Sequence, residues 1–201
     1  IHECPVCCNL TDSATCPLVV TNAYGGGHLT AYTPSSASLV SPEVNIIHIK
    51  QGSSVSGSVF GGGLGSTATV TANPKVTIGA AVPSPLPSGY SQPASNFPRA
   101  TVAQNVYGGG SLADVIGNTE VNIKANGHVG GTLPSQTDGF VFGGGKGRPG
   151  YYDPVKGDLG FFYTRMAYVD QTQVIISGGQ IAASVFGGGE NGHVRYNATV
   201  T

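Results

Sequence analysis

One short string recurs five times and limits what the chain can become. It stands as Ala23-Tyr24-Gly25-Gly26-Gly27, Val59-Phe60-Gly61-Gly62-Gly63, Val106-Tyr107-Gly108-Gly109-Gly110, Val141-Phe142-Gly143-Gly144-Gly145 and Val185-Phe186-Gly187-Gly188-Gly189. Consecutive glycines have no side chain to bury and lose the most backbone freedom on folding, so five copies need a structural reason. The aromatics fall 36, 47, 35 and 44 residues apart. A second landmark accounts for the unevenness: short β-branched runs at Ile47-His48-Ile49, Val76-Thr77-Ile78, Val121-Asn122-Ile123 and Val174-Ile175-Ile176. The shortest segments between landmarks combine into a unit of about 26 to 29 residues, the size of one coil of a β-solenoid, and longer intervals are then insertions at fixed corners.

Composition supports an all-β chain. Val, Ile, Thr, Ser, Gly and Asn take the places where a helical protein would carry Ala, Leu, Glu and Lys. Only 9% of residues are charged, against roughly 25% in ordinary domains. With a formal charge of -1 and 9 Lys and Arg, the chain has neither the charge of a solvated disordered segment nor a basic face for nucleic acid or anionic lipid. No apolar run approaches the roughly 20 residues of a membrane-spanning helix. Ile1 in place of Met suggests a removed leader or a piece of something longer.

We therefore expect an all-β fold, a β-solenoid or parallel β-helix of about four to five coils, over residues 18–201. Insertions are expected near 80–100, 130–139 and 146–168. In each coil Tyr24, Phe60, Tyr107, Phe142 or Phe186 should stack on its equivalent, with Val pointing the other way or forming a ladder. Glycine should let the chain turn through positive φ and let backbones approach closely. Gly117-Asn118-Thr119 is read as a similar corner.

Residues 1–17 form a Cys-rich cap or tether. Cys4, Cys7, Cys8 and Cys16 suit two disulfides in an oxidising compartment, in any of three connectivities. Zinc is the rival, but Cys4-x-x-Cys7 is half a knuckle, and Cys8, Cys16 or His2 would complete it at irregular spacing. Asn9-Leu10-Thr11 and Asn197-Ala198-Thr199 match the N-glycosylation sequon.

The pattern V-[FY]-G-G-G, then G-N-T-x-V-x-I, then the next triplet is complete over Val106 to Ile123. It resembles the glycine-triplet repeats of large bacterial cell-surface proteins with β-solenoid regions. The resemblance implies surface display and a structural or adhesive role, and brings no catalytic residues. Other copies depart from it, with Thr71-Ala72-Asn73-Pro74 or Asp170-Gln171-Thr172 in place of Gly-Asn-Thr.

Signals for chemistry are thin. Gly187-x-Gly189-x-x-Gly192 and Gly145-x-Gly147-x-x-Gly150 match a dinucleotide loop in letters, but neither opens a helix and no G-K-[ST] follows a triplet. Gly62-Gly63-Leu64-Gly65 begins a calcium β-roll repeat, with Thr67 where the carboxylate should stand. His2, His28, His48, His128 and His193 have no ligand spacing, and no G-x-S-x-G elbow exists. No cofactor and no metal are expected. A Thr patch at Thr67, Thr69, Thr71 and Thr77 is not repeated in other coils, which argues against ice binding.

The insertion from Lys146 to Tyr168 is the richest segment. Tyr151, Tyr152, Phe161, Phe162, Tyr163 and Tyr168 accompany Asp153, Asp158, Lys156 and Arg165, a combination suited to a subunit interface, to self-packing or to a sugar-stacking platform. We expect a structural subunit of an extracellular fibre or surface appendage, polymerising with copies of itself. The strand-like ending Asn191 to Thr201 carries no cap and is a candidate for strand addition. The alternative is a surface β-helix that binds or cleaves glycans.

Overall fold

The computed structural model describes residues 18–34, 41–47, 53–82, 84–85, 99–131, 138–149, 151–153, 158–160 and 166–201. The strands are β1 (Leu18–Val20), β2 (Ala23–Tyr24), β3 (Glu43–Ile46), β4 (Ser53–Val55), β5 (Val59–Phe60), β6 (Lys75–Ile78), β7 (Ala100–Val102), β8 (Val106–Tyr107) and β9 (Val115–Ile123). They continue with β10 (Gly127–Val129), β11 (Val141–Phe142), β12 (Tyr151–Asp153), β13 (Asp158–Gly160), β14 (Val169–Ile176), β15 (Gln180–Ile181), β16 (Val185–Phe186) and β17 (Ala198–Val200).

Three parallel five-stranded sheets run in the orders β1-β4-β7-β10-β15, β2-β5-β8-β11-β16 and β3-β6-β9-β14-β17. The chain visits one strand of each sheet in turn and then steps to the next coil. It is a β-solenoid of five coils.

Register follows the sequence landmarks. Val59 pairs with Val106 and Phe60 with Tyr107; Val76 pairs with Val121 and Ile78 with Ile123. The interior is a set of aliphatic ladders. Val44, Val76, Val121 and Val174 form one, and Ile46, Ile78 and Ile123 another, while Val55, Val102 and Val129 line the first sheet. Each fully buried Val or Ile contributes about 1.5–3 kcal/mol relative to exposure. Only one face of each sheet turns inward, so the strands alternate, as in Val44-Asn45-Ile46, where Val44 and Ile46 are buried and Asn45 is not.

Two details differ from the sequence expectation. In the first coil the β-branched landmark is Val44-Asn45-Ile46, whose register is Val44 with Val76 and Ile46 with Ile78. It is not Ile47-His48-Ile49, of which Ile47 follows the strand and the other two lie outside the described residues. Gly117-Asn118-Thr119 is not a corner either, because β9 runs through it. The register to β14 slips there, Val115 pairing with Val169 but Asn118 with Gln171. Gly117, at φ 150°, takes the extra residue of this bulge.

The insertions leave the coils at fixed places: 80–99 between the third and first sheets, 130–140 between the first and second, and 143–168 between the second and third. Within the last, β12 and β13 form an antiparallel pair, Tyr151 opposite Gly160 and Asp153 opposite Asp158.

Candidate functional site

The triplets lie on the second sheet and its exit. The Val of each interior triplet points into the core: Val59, Val106 and Val141 are all fully buried. The next residue points outward and joins an aromatic column. Ring centroids lie 4.9 Å apart for Tyr24–Phe60, 4.7 Å for Phe60–Tyr107, 5.1 Å for Tyr107–Phe142 and 5.2 Å for Phe142–Phe186. Planes within 12° of parallel at this spacing are offset stacks, the favourable arrangement for rings of one kind.

The glycines serve approach, not left-handed turning. None of the fifteen triplet positions has φ in the positive range. A Cβ on Gly25, Gly61, Gly108 or Gly143 would lie closer than 3.0 Å to the carbonyl oxygen of Gly61, Gly108, Gly143 or Gly187 respectively. At the middle positions Gly26, Gly62, Gly109 and Gly144, a Cβ would stand 2.7, 2.6, 2.8 and 2.9 Å from the amide nitrogen of the third glycine in the next coil. The third glycines Gly27, Gly63, Gly110 and Gly145 are crowded by their own loops or neighbours, for instance Gly63 by Ala68. The left-handed residue comes two positions later, at Leu29, Gly65, Leu112 and Asn191.

The fifth triplet stands apart. A Cβ at Gly187 would meet only Ala198, at 3.1 Å or more, Gly188 has nothing within 4 Å, and Gly189 packs back on Gly145. Phe186 is 45% exposed and Val200 47%. All three sheets end on this coil, in β15, β16 and β17.

A polar tie crosses the stack. The Tyr107 hydroxyl donates to the Glu190 carboxylate and accepts from the Asn105 amide at 3.2 Å. Lys146 completes the group, 3.6 Å from Glu190 and 5.7 Å from the Tyr107 ring centroid. Burial, then the Glu190 bond, raise the Tyr107 pKa well above that of an ordinary phenol. The tie therefore links the third, fourth and fifth coils through a neutral phenol and an ion pair.

A polar groove of about 610 Å³ runs along the third sheet, across the coils. Asn73, Asn118, Gln171 and Asn197 line it at equivalent positions, with the Asn118 amide donating to the Asn73 side-chain oxygen at 2.8 Å. Thr119 and Thr172 on its floor donate to the carbonyls of Gly143 and Gly187, at 2.6 and 2.5 Å. Lys75 contacts Glu120 at 2.8 Å. The Glu120 carboxyl is held below its usual range by the Asn122 amide and Lys75, and so stays ionised.

Other sequence candidates are dispersed. Tyr168 is buried beside the fourth coil, its hydroxyl 3.1 Å from Asp170. Tyr151 and Tyr152 are placed only as backbone in β12, while Phe161, Phe162 and Tyr163 lie outside the described residues. So do Asn9 and the cysteines Cys4, Cys7, Cys8 and Cys16. Asn197 is exposed at the rim of the groove, its carbonyl accepting from Thr172 at 3.0 Å. Among the described residues no three His, Cys, Asp or Glu side chains converge as metal ligands, and no helix is long and apolar enough to cross a membrane.

In comparisons with known proteins, no family model matches the chain, and no curated protein or solved structure matches it significantly.

Proposed function

We propose that the chain is a structural subunit of an extracellular or cell-surface fibre, polymerising head to tail through its solenoid ends. One observation carries this reading: the coils repeat one stacking module in unbroken register along the axis, Tyr24 on Phe60, Phe60 on Tyr107, Tyr107 on Phe142 and Phe142 on Phe186. A stack built of such repeats can accept a further like coil by the same parallel strand pairing. Low charge along the chain, repeated stacking modules and the resemblance to glycine-triplet surface proteins support the same reading. A head-to-tail contact that does not close on itself gives a filament.

Electron microscopy of the purified chain tests it, with filaments expected. Deleting Val194 to Thr201 removes β17, whose side chains are all exposed, and is expected to leave a folded monomer that does not polymerise. Filaments of normal length from the truncated chain would overturn the reading.

The groove supports a second reading, a glycan-binding surface, because its row of carboxamides offers donors and acceptors at about 4.8 Å intervals along the axis. A glycan array with the Asn118→Ala and Gln171→Ala variants tests it. Binding that both variants weaken is the expected result, and an array without binders would discard it.

A further inference from the structure

The groove on the third sheet repeats itself in two rows. Asn118 pairs with Gln171, and the Asn118 backbone amide reaches the Asn73 side-chain oxygen at 2.8 Å, so these three carboxamides follow one another through the second, third and fourth coils. Two residues further along each strand, Lys75 pairs with Glu120 and Glu120 with Gln173. The rows are therefore about 7 Å apart, and both step by about 4.8 Å per coil. Between them lie Thr119 and Thr172, both buried, with their hydroxyls already donated to the carbonyls of Gly143 and Gly187. Asn73, Asn118, Gln171 and Gln173 are exposed, so contact with a ligand falls to the rows. Among the described residues no aromatic ring lines the groove, and two carboxylates, Glu43 and Glu120, act on one ammonium, Lys75. Its lining is polar and acidic on balance.

Resting on the glycan reading of this groove, we propose that its ligand is a neutral, straight glycan chain, linked equatorially at both ends of each ring as in cellulose or chitin, lying along the solenoid axis. Such a chain is a flat ribbon that advances by about one strand spacing per sugar, so successive rings meet the same pair of rows. A ring with its equatorial hydroxyls spans the gap between the rows, and carboxamides, which both donate and accept, suit hydroxyls. An extended peptide advances by about 3.3 Å per residue and falls out of step with the coils. An axially linked glucan curls away from a straight row. A second copy of this face is excluded by shape, since two concave surfaces leave a void between them. A polyuronate meets like charge at Glu43 and Glu120. Because each coil adds the same few bonds, affinity grows with chain length and does not reside in one subsite.

Calorimetric titration of the intact chain with cello-oligosaccharides and chito-oligosaccharides tests this. From dimer to tetramer, affinity in at least one series should rise about threefold or more with each sugar, the effect of one further net hydrogen bond. Malto-oligosaccharides and oligomannuronates of equal length should bind at least about tenfold more weakly, having lost the step or the charge match. Glu43→Gln with Glu120→Gln removes the acidic balance and keeps an acceptor for the Asn122 side chain. That chain, its melting temperature unchanged, should take oligomannuronate about as well as the neutral tetramer. Affinity independent of length, malto-oligosaccharides or oligomannuronates that bind the unaltered chain as well as the straight neutral ones, or oligomannuronate still shut out by the double variant would each overturn this inference and leave a glycan-binding groove standing. A chain that binds no oligosaccharide of any linkage or charge would overturn the glycan reading, and this inference with it.

Discussion

The fourth and fifth coils carry the same five letters, Val-Phe-Gly-Gly-Gly at 141–145 and 185–189, in opposite surroundings. In the fourth coil Val141 is fully buried, Phe142 is 8% exposed, and Cβ atoms on Gly143 and Gly144 would run into the backbone of the next coil. In the fifth, Phe186 is 45% exposed and Gly188 has open space around it. The difference teaches that a triplet's demand for glycine comes from its neighbour along the axis and not from its own backbone. The same letters are crowded by backbone in the fourth coil and, at Gly188, by nothing in the last described one.

The sharpest way to break this comparison is to place a side chain at matched positions. Gly144→Val sets its Cβ against the Gly189 amide, and the main chain must shift; overpacking of this kind costs about 3 kcal/mol. Gly188→Val should change monomer stability by less than about 0.5 kcal/mol, as surface substitutions do. Urea unfolding of the two variants measures the contrast, and equal losses would show that the triplet is strained by its own loop.

Aliphatic ladders give the next largest contrast. Ile123 is fully buried, whereas its partner Ile176, one coil on, is 37% exposed. Truncating Ile123 to Ala should cost about 2–5 kcal/mol, the range for a buried Ile. Ile176→Ala should cost about 1 kcal/mol, since part of its surface is already wet. Thermal melts of both variants give the ratio, and a ratio near one would mean that the third-sheet face of the fourth coil is covered in solution.

A smaller effect sharpens how the end coil is held. Tyr107 reaches Glu190 in the fifth coil from the third, past Phe142. Tyr107→Phe keeps the stacked ring and removes the hydroxyl that joins Asn105 to Glu190, at a cost of about 1.5 kcal/mol for a lost bond to a charged group at a partly exposed site. Hydrogen exchange should then quicken at the fourth-coil amides that bond to the fifth coil, Gly147 N to Glu190 O and Val169 N to His193 O, and less in the second coil. Uniform quickening would instead mark Tyr107 as part of a single cooperative unit.

How far the fold was legible follows from which residues carry each signal. The coil could be read because a side-chain-free triplet and a β-branched run are rare in combination and recur together. The exact first-coil landmark could not, since Glu43 to Ile49 alternates in both registers and only the pairing of Val44 with Val76 chooses between them. Left-handed turning was expected of the triplet glycines, yet it falls two positions further on, at Leu29, Gly65, Leu112 and Asn191, where the loop imposes on the two leucines a conformation their side chains do not favour. The Tyr107–Glu190 tie spans 83 residues and leaves no local trace. The groove was visible only as a corner motif around Asn118, because its other members, Asn73, Gln171 and Asn197, align only once the coils are stacked.

The smallest predicted effect sets the fourth coil against the fifth by pH. His128 in β10 pairs in register with Gln180 of the end coil, is 8% exposed, and has Arg99 Nη1 3.3 Å from its Nδ1. Burial, then the Arg99 charge, lower its pKa below that of a free imidazole. The unfolded chain therefore binds this proton more readily than the folded one, so the stability due to His128 is full above the free-imidazole pKa near 6.5 and is lost as pH falls below it. Melting temperature should decline between pH 7.5 and 5.5, and His128→Gln, which copies the residue found one coil on, should remove that part of the slope. An unchanged slope would place the titrating group elsewhere, and the fourth and fifth coils would then not differ in this respect.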